Sequence, residues 1–258
     1  FQYSGLLQSD QNLGNFIFAE VLSEFADNVN FTDEQILYMQ GKKQIKMCVD
    51  PEWMPFESIR NGEHIGIAAD VFELFQSYLP IPVKLVPTES WQESLDKAKA
   101  RECDIWSLAS ATPERNRFMD FTSPYIDLPI VMATAMGEIF IADIEQVKDK
   151  KLGIVKGYAI AGKLRKSVPG INIVEVGSIS EGLMLVESGE LYGYIDNLMV
   201  IADAIQKDFT GVLKVSSRLE ESVYLAIGTR KDEPQLNQIF ETLVTHLDEK
   251  DVQPIYNR

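Results

Sequence analysis

The sequence has little of the chemistry that metal centres and nucleic-acid surfaces require. Its 258 residues include only two cysteines and two histidines, which lie far apart along the chain, so the usual soft ligands cannot form a metal cluster. Lys and Arg number 24 against 39 Asp and Glu, a formal net charge of −15, which excludes the basic surface that a nucleic-acid partner needs. We therefore expect no metal, no cofactor and no nucleic-acid partner.

The chain also lacks a long apolar run. The longest, Leu128 to Met136, is far shorter than the roughly 20 residues of a transmembrane helix. The chain begins at Phe1 without an initiator Met or a signal segment, which we interpret as the start of a piece of a longer protein. With 45% hydrophobic and 24% charged residues, this piece has the composition of a soluble globular protein with one large domain or two lobes.

The two cysteines, Cys48 and Cys103, fall on strands that we predict to be adjacent and parallel but several residues out of step. An offset of that size separates the Cα atoms by more than the approximately 7 Å that a disulfide tolerates. The sequence therefore predicts two buried thiols.

Apolar patterning follows the same plan in both halves of the chain. In each half a Ser-x-x-Glu-x-Leu segment, beginning at Ser90 and at Ser178, is typical of a capped helix start and precedes the next strand by about fourteen residues. An earlier helix has one apolar face, formed by Val71, Phe72, Phe75 and Leu79. The predicted strands cover residues 45–50, 83–86, 104–108, 152–155 and 171–176, and a segment ending at Ile195. The pattern predicts an α/β protein with two lobes, each a mainly parallel sheet flanked by helices.

Two segments without helical periodicity, Thr122–Pro129 and Ser222–Gly228, are predicted to be the hinge crossings between the lobes. The last helix has an apolar stripe for which the first lobe is the expected host. The stripe consists of Leu236, Ile239, Phe240, Leu243 and Leu247. We therefore assign residues 42–126 and 226–258 to the first lobe and residues 127–225 to the second.

Residues 1–41 do not fit this plan. The spacing of apolar residues from Phe16 to Phe25 is helical, and Thr32 begins another short helix. Two interpretations remain open, a helical extension packed on the lobes or the tail of a preceding domain.

In open α/β sheets, ligands bind outside the carboxyl ends of the strands, so the residues that follow each predicted strand are the site candidates. In the first lobe these are Asp50, Trp53, Ser90, Trp91, Ser110, Thr112 and Arg115. All of them can face one cleft.

Arg115 is the most specific of these candidates. The segment Thr112-Pro113-Glu114-Arg115 has the pattern of an N-cap and the first three residues of a helix, where a cation is unfavourable. A bound anion removes that cost, and a guanidinium beside free backbone N–H groups forms a bidentate carboxylate site. The alternative is an exposed Arg115 that pairs with Glu114 or Asp120.

Three tryptophans divide into two groups. Trp53 and Trp91 are predicted in loops after strands, where an indole ring can stack on an aliphatic ligand stem or contact an ammonium group. Trp106 is predicted inside a strand and therefore in the core. The alternative for Trp53 and Trp91 is also a core position.

The second lobe has fewer candidates. The segment Gly157–Lys163 resembles a phosphate-binding loop, but Leu164 stands where a Ser or Thr hydroxyl must reach magnesium, so we predict a helix N-terminus that offers backbone donors, with Lys156 nearby. Asp196 and Asn197 end the last strand of this lobe. Because consecutive strand residues point to opposite faces, we expect one of the two to face the cleft.

Four motifs together resemble the bacterial extracellular solute-binding proteins of family 3, over roughly residues 43 to 258. They are Asp50-Pro-Glu-Trp-Met-Pro-Phe-Glu57, Gly66-Ile-Ala-Ala-Asp70, Ala111-Thr-Pro-Glu-Arg115 and Asp120-Phe-Thr-Ser-Pro-Tyr125. Further segments look like the periplasmic sensor domains of membrane-bound histidine kinases. They are Phe31-Thr-Asp-Glu-Gln, Val155-Lys-Gly-Tyr158, Gly189-Glu190 and Ile255-Tyr-Asn-Arg258.

The resemblance implies a two-lobed Venus flytrap of the periplasmic-binding-protein type II fold that closes on an amino acid or a related small carboxylate. Arg115, helped by Ser110 and Thr112, would hold the ligand carboxylate. Trp53 and Trp91 would stack on the ligand, and Lys156 and Tyr158 would complete the site. The amino-binding aspartate of transport receptors aligns with Asn197 or, after a one-residue shift, with Asp196.

As a sensor domain, the chain would lie on the periplasmic or extracellular face of a bacterial inner-membrane protein. It would reach the membrane only through downstream segments, and the full-length receptor could be a homodimer. One alternative is a free receptor of an ABC transporter. Another is an enzyme similar to cyclohexadienyl or arogenate dehydratases, with Glu57, Glu89 and Asp196 as acid–base candidates, although common hydrolase and metalloprotease motifs are missing.

Overall fold

The computed structural model of the chain describes residues 29–247. The helical segment predicted from Phe16 to Phe25 lies outside them, whereas the short helix predicted from Thr32 is present. Thr32 and Gln35 form a complete capping box at its start, each side chain accepting a backbone N–H bond from the other residue. Within residues 29–247 no helix combines the length and apolar character that a membrane crossing requires.

The protein has a mixed α/β fold with two lobes. The strands are β1 (Ile45–Cys48), β2 (Glu52–Trp53), β3 (Glu57–Arg60), β4 (Glu63–Ile65), β5 (Val83–Leu85), β6 (Ile105–Ala109), β7 (Met119–Phe121), β8 (Ile126–Ala135), β9 (Leu152–Val155), β10 (Ile173–Val176), β11 (Gly193–Asn197) and β12 (Leu213–Arg230). The helices are α1 (Asp33–Lys42), α2 (Ile67–Gln76), α3 (Trp91–Lys99), α4 (Ala159–Ser167), α5 (Ile179–Glu187), α6 (Leu198–Asp208) and α7 (Pro234–His246).

Each lobe has the predicted parallel core. In the first lobe β1 pairs in parallel with β5 and β6, and in the second β9 pairs in parallel with β10 and β11. The strand order is β10-β9-β11-β8-β12-β6-β1-β5, and β7 also pairs with β12. The parallel arrangement brings the carboxyl ends of these strands to the seam between the lobes, where the fold places its candidate site.

The segments between the lobes are strands. β8 and β12 form a long antiparallel pair, and β12 continues into the first lobe, where it pairs with β6 and β7. The pairing of β12 shifts register between Val215 and Ser217, between Arg218 and Ser222, and between Ala226 and Gly228. Such bulges bend and twist a strand, which lets one strand serve two sheets.

The serine caps and the last helix are also as predicted. Ser90 and Ser178 accept the backbone N–H groups of Glu93 and Glu181 at 3.2 and 3.1 Å. α7 packs in the first lobe, where the Phe240 ring lies 5.9 Å from the Phe72 ring and 6.5 Å from the Phe75 ring between centroids. The predicted stripe is buried except for Leu247, which is half-buried.

The prediction of two free thiols is wrong, because Cys48 and Cys103 form a disulfide with Cα atoms 5.8 Å apart. The predicted offset assumed that both residues lie in extended strands. Cys103 instead precedes β6, in a turn where Arg101 has φ of 62°, so the strand register does not set its position.

Candidate ligand-binding cleft

A cavity lies between the lobes, at the carboxyl ends of the parallel strands. Eight of the eleven residues predicted from sequence line it, namely Asp50, Trp53, Trp91, Ser110, Arg115, Tyr158, Asp196 and Asn197. Ser90, the N-cap of α3, does not. The remaining walls are mostly apolar and had no distinguishing signal in the sequence. They are Leu108, Ala109, Ile130, Ala159, Ile160, Val223 and Leu225.

Arg115 is a buried cation at this seam, with 6% of its surface exposed. Its guanidinium donates to the Ser110 carbonyl oxygen at 2.7 Å and to the Gly157 carbonyl oxygen of the other lobe at 2.9 Å. The guanidinium carbon lies 5.3 Å from the Trp91 ring centroid and 5.6 Å from the Trp106 ring centroid, within the range of cation–π contacts. Arg115 is therefore not the exposed residue of the alternative interpretation.

Burial lowers the pKa of the Arg115 guanidinium to about 10, although Glu114 and Tyr158 act in the opposite direction. The side chain therefore stays cationic at neutral pH. Among residues 29–247 no carboxylate lies within ion-pair distance of it. Its charge is balanced locally by carbonyl dipoles and indole faces, which a carboxylate ligand could supplement.

The helix predicted after Thr112 is only a three-residue 3-10 turn, Arg115–Arg117, so the helix-dipole argument for an anion at Arg115 does not apply. The predicted cap contact is nevertheless present, since the Thr112 hydroxyl oxygen accepts the Arg115 backbone N–H at 3.2 Å. Thr112 lies in an outer crevice and not among the residues that line the cavity.

Asp50 and Tyr158 join the two lobes across the cavity. The Tyr158 hydroxyl donates to Asp50 Oδ2 at 2.7 Å, and Asp50 Oδ1 accepts the Glu52 backbone N–H at 3.0 Å. Burial raises the pKa of Asp50 to about 7, and the charges of Glu57 and Asp196 add to the effect, against the two hydrogen bonds. Burial also raises the pKa of Tyr158 well above its usual value, so the phenol keeps its proton.

Asp196 is the second buried carboxylate of the cavity. It accepts the Trp53 indole N–H at 3.3 Å, the Tyr194 hydroxyl at 2.9 Å, and the backbone and side-chain N–H groups of Asn197 at 2.7 and 3.0 Å. Burial raises the pKa of Asp196 to about 6, although these donors favour the carboxylate. Both aspartates are thus already bonded to neutral donors.

The expectation that only one of Asp196 and Asn197 faces the cleft is wrong, because both line the cavity. Consecutive side chains do not point to opposite faces of the sheet here, because Asn197 ends β11 and is also the N-cap of α6. Its side-chain oxygen accepts the Val200 backbone N–H at 3.0 Å.

Direct bonds between the lobes hold the cleft closed. They join Tyr158 to Asp50, Trp53 to Asp196, the Trp91 indole N–H to the Gly157 carbonyl oxygen at 3.3 Å, and Arg115 to the same carbonyl. The cavity measures about 50 Å³, where one water molecule needs roughly 10–15 Å³ and ligand pockets usually measure several hundred. An amino acid can therefore enter only if the lobes separate or these side chains move.

Three further predicted residues lie elsewhere or in unexpected elements. Lys156 is exposed and does not line the cavity, although it is the first residue of the turn after β9. Trp53 lies in the short strand β2 and Trp91 is the first residue of α3, so neither is in a loop. Trp106 is fully buried as predicted, but its contact with Arg115 was not expected from sequence.

The acid–base candidates of the enzyme alternative are dispersed. Glu57 is fully buried behind the cavity, where it accepts the Asp50 backbone N–H at 2.8 Å and the Ser107 hydroxyl. Glu89 is exposed at an outer opening. Asp196 alone of the three lines the cavity.

The fold and this seam define a two-lobed Venus flytrap. The chain belongs to the bacterial extracellular solute-binding proteins, family 3, whose sequence profile matches residues 45–258. Similar proteins include virulence sensor protein BvgS of Bordetella pertussis, 20% identical over 86% of this chain and 18% of BvgS. Another is putative ABC transporter arginine-binding protein 2 of Escherichia coli K12, 22% identical over 83% of this chain and 89% of that protein. The chain thus spans about a fifth of the length of BvgS.

Solved structures show the same fold. The periplasmic VFT2 domain of B. pertussis BvgS superimposes with a TM-score of 0.80, at 19% identity over 89% of this chain and 99% of that domain. An ancestral arginine-binding protein bound to arginine has a TM-score of 0.73, at 18% identity over 83% of this chain and 97% of that one.

Proposed function

We propose that this chain is the extracytoplasmic sensing domain of a membrane-bound signalling receptor such as a sensor histidine kinase, and that it closes on a small solute carrying a carboxylate group. The main support is the environment of Arg115. Its guanidinium is buried at the seam between the lobes and has no carboxylate partner among residues 29–247. A ligand carboxylate would pair with it, and the indole rings of Trp53 and Trp91 would cover the rest of the ligand.

The signal would arise from a shift between open and closed lobes. A ligand changes that equilibrium only by binding one state more tightly, and nearly complete switching needs about 5.5 kcal/mol of preference. Because the lobes already bond to each other directly, the ligand has to replace bonds such as Tyr158 to Asp50 with better ones. A solute that contacts Arg115 from one lobe and Tyr158 or Asp196 from the other meets this requirement.

Two features support an extracytoplasmic receptor. The Cys48–Cys103 disulfide fits an oxidising compartment such as the periplasm. The similarity to BvgS, a much longer sensor protein, favours a domain joined to downstream membrane and signalling segments. We propose that the domain binds its ligand and does not convert it chemically.

The second candidate is a free receptor of an ABC transporter, favoured by the similarity to arginine-binding proteins over most of their length. The sequence that follows Arg258 in the full-length protein separates the two. A transmembrane segment followed by a kinase or cyclase region supports the sensor, and a protein without such segments supports the free receptor.

The ligand proposal is tested by thermal-shift screening of amino acids and small carboxylates. Hits that stabilise the wild type should no longer stabilise Arg115→Ala. Arg115→Lys should recover little, because an ammonium lacks the planar fork of donors with which a guanidinium binds a carboxylate through two parallel hydrogen bonds. Arg60→Ala, an exposed arginine remote from the cavity, is the matched control and should keep every hit. A folded Arg115→Ala protein that retains the wild-type hits contradicts the proposal.

A further inference from the structure

An open crevice lies outside the cavity, between the 3-10 turn after β6 and one side of α4. It measures about 630 Å³, a size that suits a small molecule. We call this opening the basic crevice, because six cationic side chains line it. They are Lys99, Arg115, Arg117, Lys163, Arg165 and Lys166. The carboxylates among its lining residues are Glu114 and Glu175.

The charge of the basic crevice is opposite to that of the protein. The chain has 15 more acidic than basic side chains, yet a quarter of its 24 Lys and Arg residues line this one opening. A cleft lined by one sign of charge concentrates solutes of the other sign and raises their association rates. An anionic solute is therefore the species that this opening favours.

Few of these cations are neutralised within the crevice. Arg165 pairs with Glu175 at 3.1 Å, and the Lys163 ammonium donates to the Ser222 carbonyl oxygen at 3.1 Å. Arg117 and Lys166 are exposed, and in residues 29–247 neither has a carboxylate within ion-pair distance. These two belong to different lobes. Hydrogen bonds from its own backbone N–H and from Thr112 lower the pKa of the Glu114 carboxyl, and the charges of Lys166 and Arg117 add to this effect, so both cations lie on the same side of the crevice as this carboxylate. A ligand with more negative charge than Glu114 would compete with it for both cations.

The basic crevice adjoins the cavity. Arg115, Tyr158 and Ala159 line both spaces. Ala159 begins α4, a nine-residue helix whose N-cap makes no side-chain hydrogen bond, so its first N–H groups and its dipole add positive potential at the same point. A solute that reaches Arg115 from this side passes the exposed cations first.

We propose that the basic crevice is an outer anion site that selects small solutes with two or more negative charges, one group held by Arg115 and another by Arg117 and Lys166. The inference rests on the proposed function and narrows it to dicarboxylates and larger polyanions, in contrast to arginine. In the cavity the two aspartates already accept bonds from Tyr158, Tyr194, Trp53 and Asn197, which leaves Arg115 as the charged group available to a ligand.

The test uses citrate, glutarate, glutamine and arginine as probes, followed by tryptophan fluorescence in stopped flow and by thermal shift. The crevice variant is Arg117→Glu with Lys166→Glu. The matched control is Lys84→Glu with Lys151→Glu, two exposed lysines that change the net charge equally but do not line the crevice. We expect citrate and glutarate to associate at least about 10-fold more slowly with the crevice variant than with the control, and the difference to shrink as salt increases.

Each outcome separates the two proposals. Glutamine or arginine binding that requires Arg115 but is the same in the crevice variant and the control overturns this inference and leaves the proposed function intact. Citrate binding that is lost in the crevice variant but unchanged in Arg115→Ala overturns the role of Arg115 in both proposals and places the anion on Arg117 and Lys166 alone. Absence of citrate and glutarate binding to the wild type overturns the inference, while the wider solute screen decides the proposed function.

Discussion

Arg115 is held by groups that tolerate a cation without neutralising it. Carbonyl oxygens of Ser110 and Gly157 accept hydrogen bonds from two of its five N–H donors, and the ring centroids of Trp91 and Trp106 lie 5.3 and 5.6 Å from the guanidinium carbon. Removing a charge from water without an ionic partner costs several kcal/mol, which these contacts offset only in part. A ligand carboxylate would supply the missing partner, so the same burial that is costly without ligand favours its binding.

Asp50 and Asp196 make the closed cleft sensitive to pH. Burial raises their pKa values to about 7 and about 6, above the usual 3.8 of an aspartate. Between pH 7 and 4 the folded protein therefore binds protons that the unfolded chain does not, so its free energy of unfolding rises as the pH falls through this window. We expect the melting temperature to increase as the pH is lowered from above 7 to about 5, since the usual acid denaturation begins lower.

The control for this prediction is the pair of substitutions Asp50→Asn and Asp196→Asn, which keep the shape of each side chain without its titration. The double variant should show a flatter dependence of melting temperature on pH over the same range. An equally steep rise in the variant would assign the effect to other groups, and a wild-type melting temperature that falls from pH 7 to 5 would contradict the prediction.

Much of the cavity was predictable from the sequence because its polar residues directly follow strands. Asp50 follows β1, Ser110 follows β6 and Tyr158 follows β9, so the rule on strand ends locates them. The rule fails for Thr112 and Lys156, since it gives the edge of the sheet but not the direction of a side chain in a turn. The same rule cannot identify the partner of Arg115 in the other lobe, because that partner is the backbone carbonyl oxygen of Gly157.

Secondary structure was predictable where apolar periodicity was long and caps were explicit. β9 matches its predicted range, and Ser90 and Ser178 cap the helices that they were predicted to begin. The three-stranded sheet β2-β3-β4 was missed, because strands of two to four residues carry no periodic signal. The extent of β12 was missed as well, since its bulges interrupt the alternation of apolar and polar residues.

The disulfide links β1 to the turn before β6, across 55 residues of chain. In the chain-entropy model, a cross-link of that span stabilises the folded state by about 4 kcal/mol. For a protein of this size each kcal/mol shifts the melting temperature by about 2–4 °C, so Cys48→Ser with Cys103→Ser should lower it by about 10 °C. Thermal unfolding followed by circular dichroism measures the change.

A reducing agent provides the internal control for the disulfide. It should lower the melting temperature of the wild type towards that of the double serine variant and leave the variant unchanged. If reductant has no effect on the wild type, or lowers the variant equally, the disulfide does not contribute the expected stability.

The two lobes share one continuous element, because β12 belongs to both sheets and β8 runs beside it. Relative motion of the lobes must therefore bend this strand pair, and the register shifts of β12 on both sides of the seam are the places where bending is least costly. The closed state depends in turn on contacts at the opposite side of the cleft, where the Gly157 carbonyl oxygen accepts bonds from both Trp91 and Arg115.

A substitution at Gly157 tests whether these contacts keep the lobes closed. Its φ is 85°, and a Cβ placed there would lie 2.7 Å from a methyl carbon of Leu95 and 3.4 Å from both Gln92 and Trp91 in the first lobe. Gly157→Ala should therefore separate the lobes and weaken the bonds to its carbonyl, and the radius of gyration measured by small-angle X-ray scattering should increase.

Gly170→Ala is the matched control, because Gly170 has φ of 84° but no atom within 4 Å of the added Cβ. Both substitutions strain the backbone, so both should lower the melting temperature, but only the first should enlarge the particle. Equal scattering from the two variants would mean that the cleft is held closed by something other than the approach of Gly157 to the first lobe.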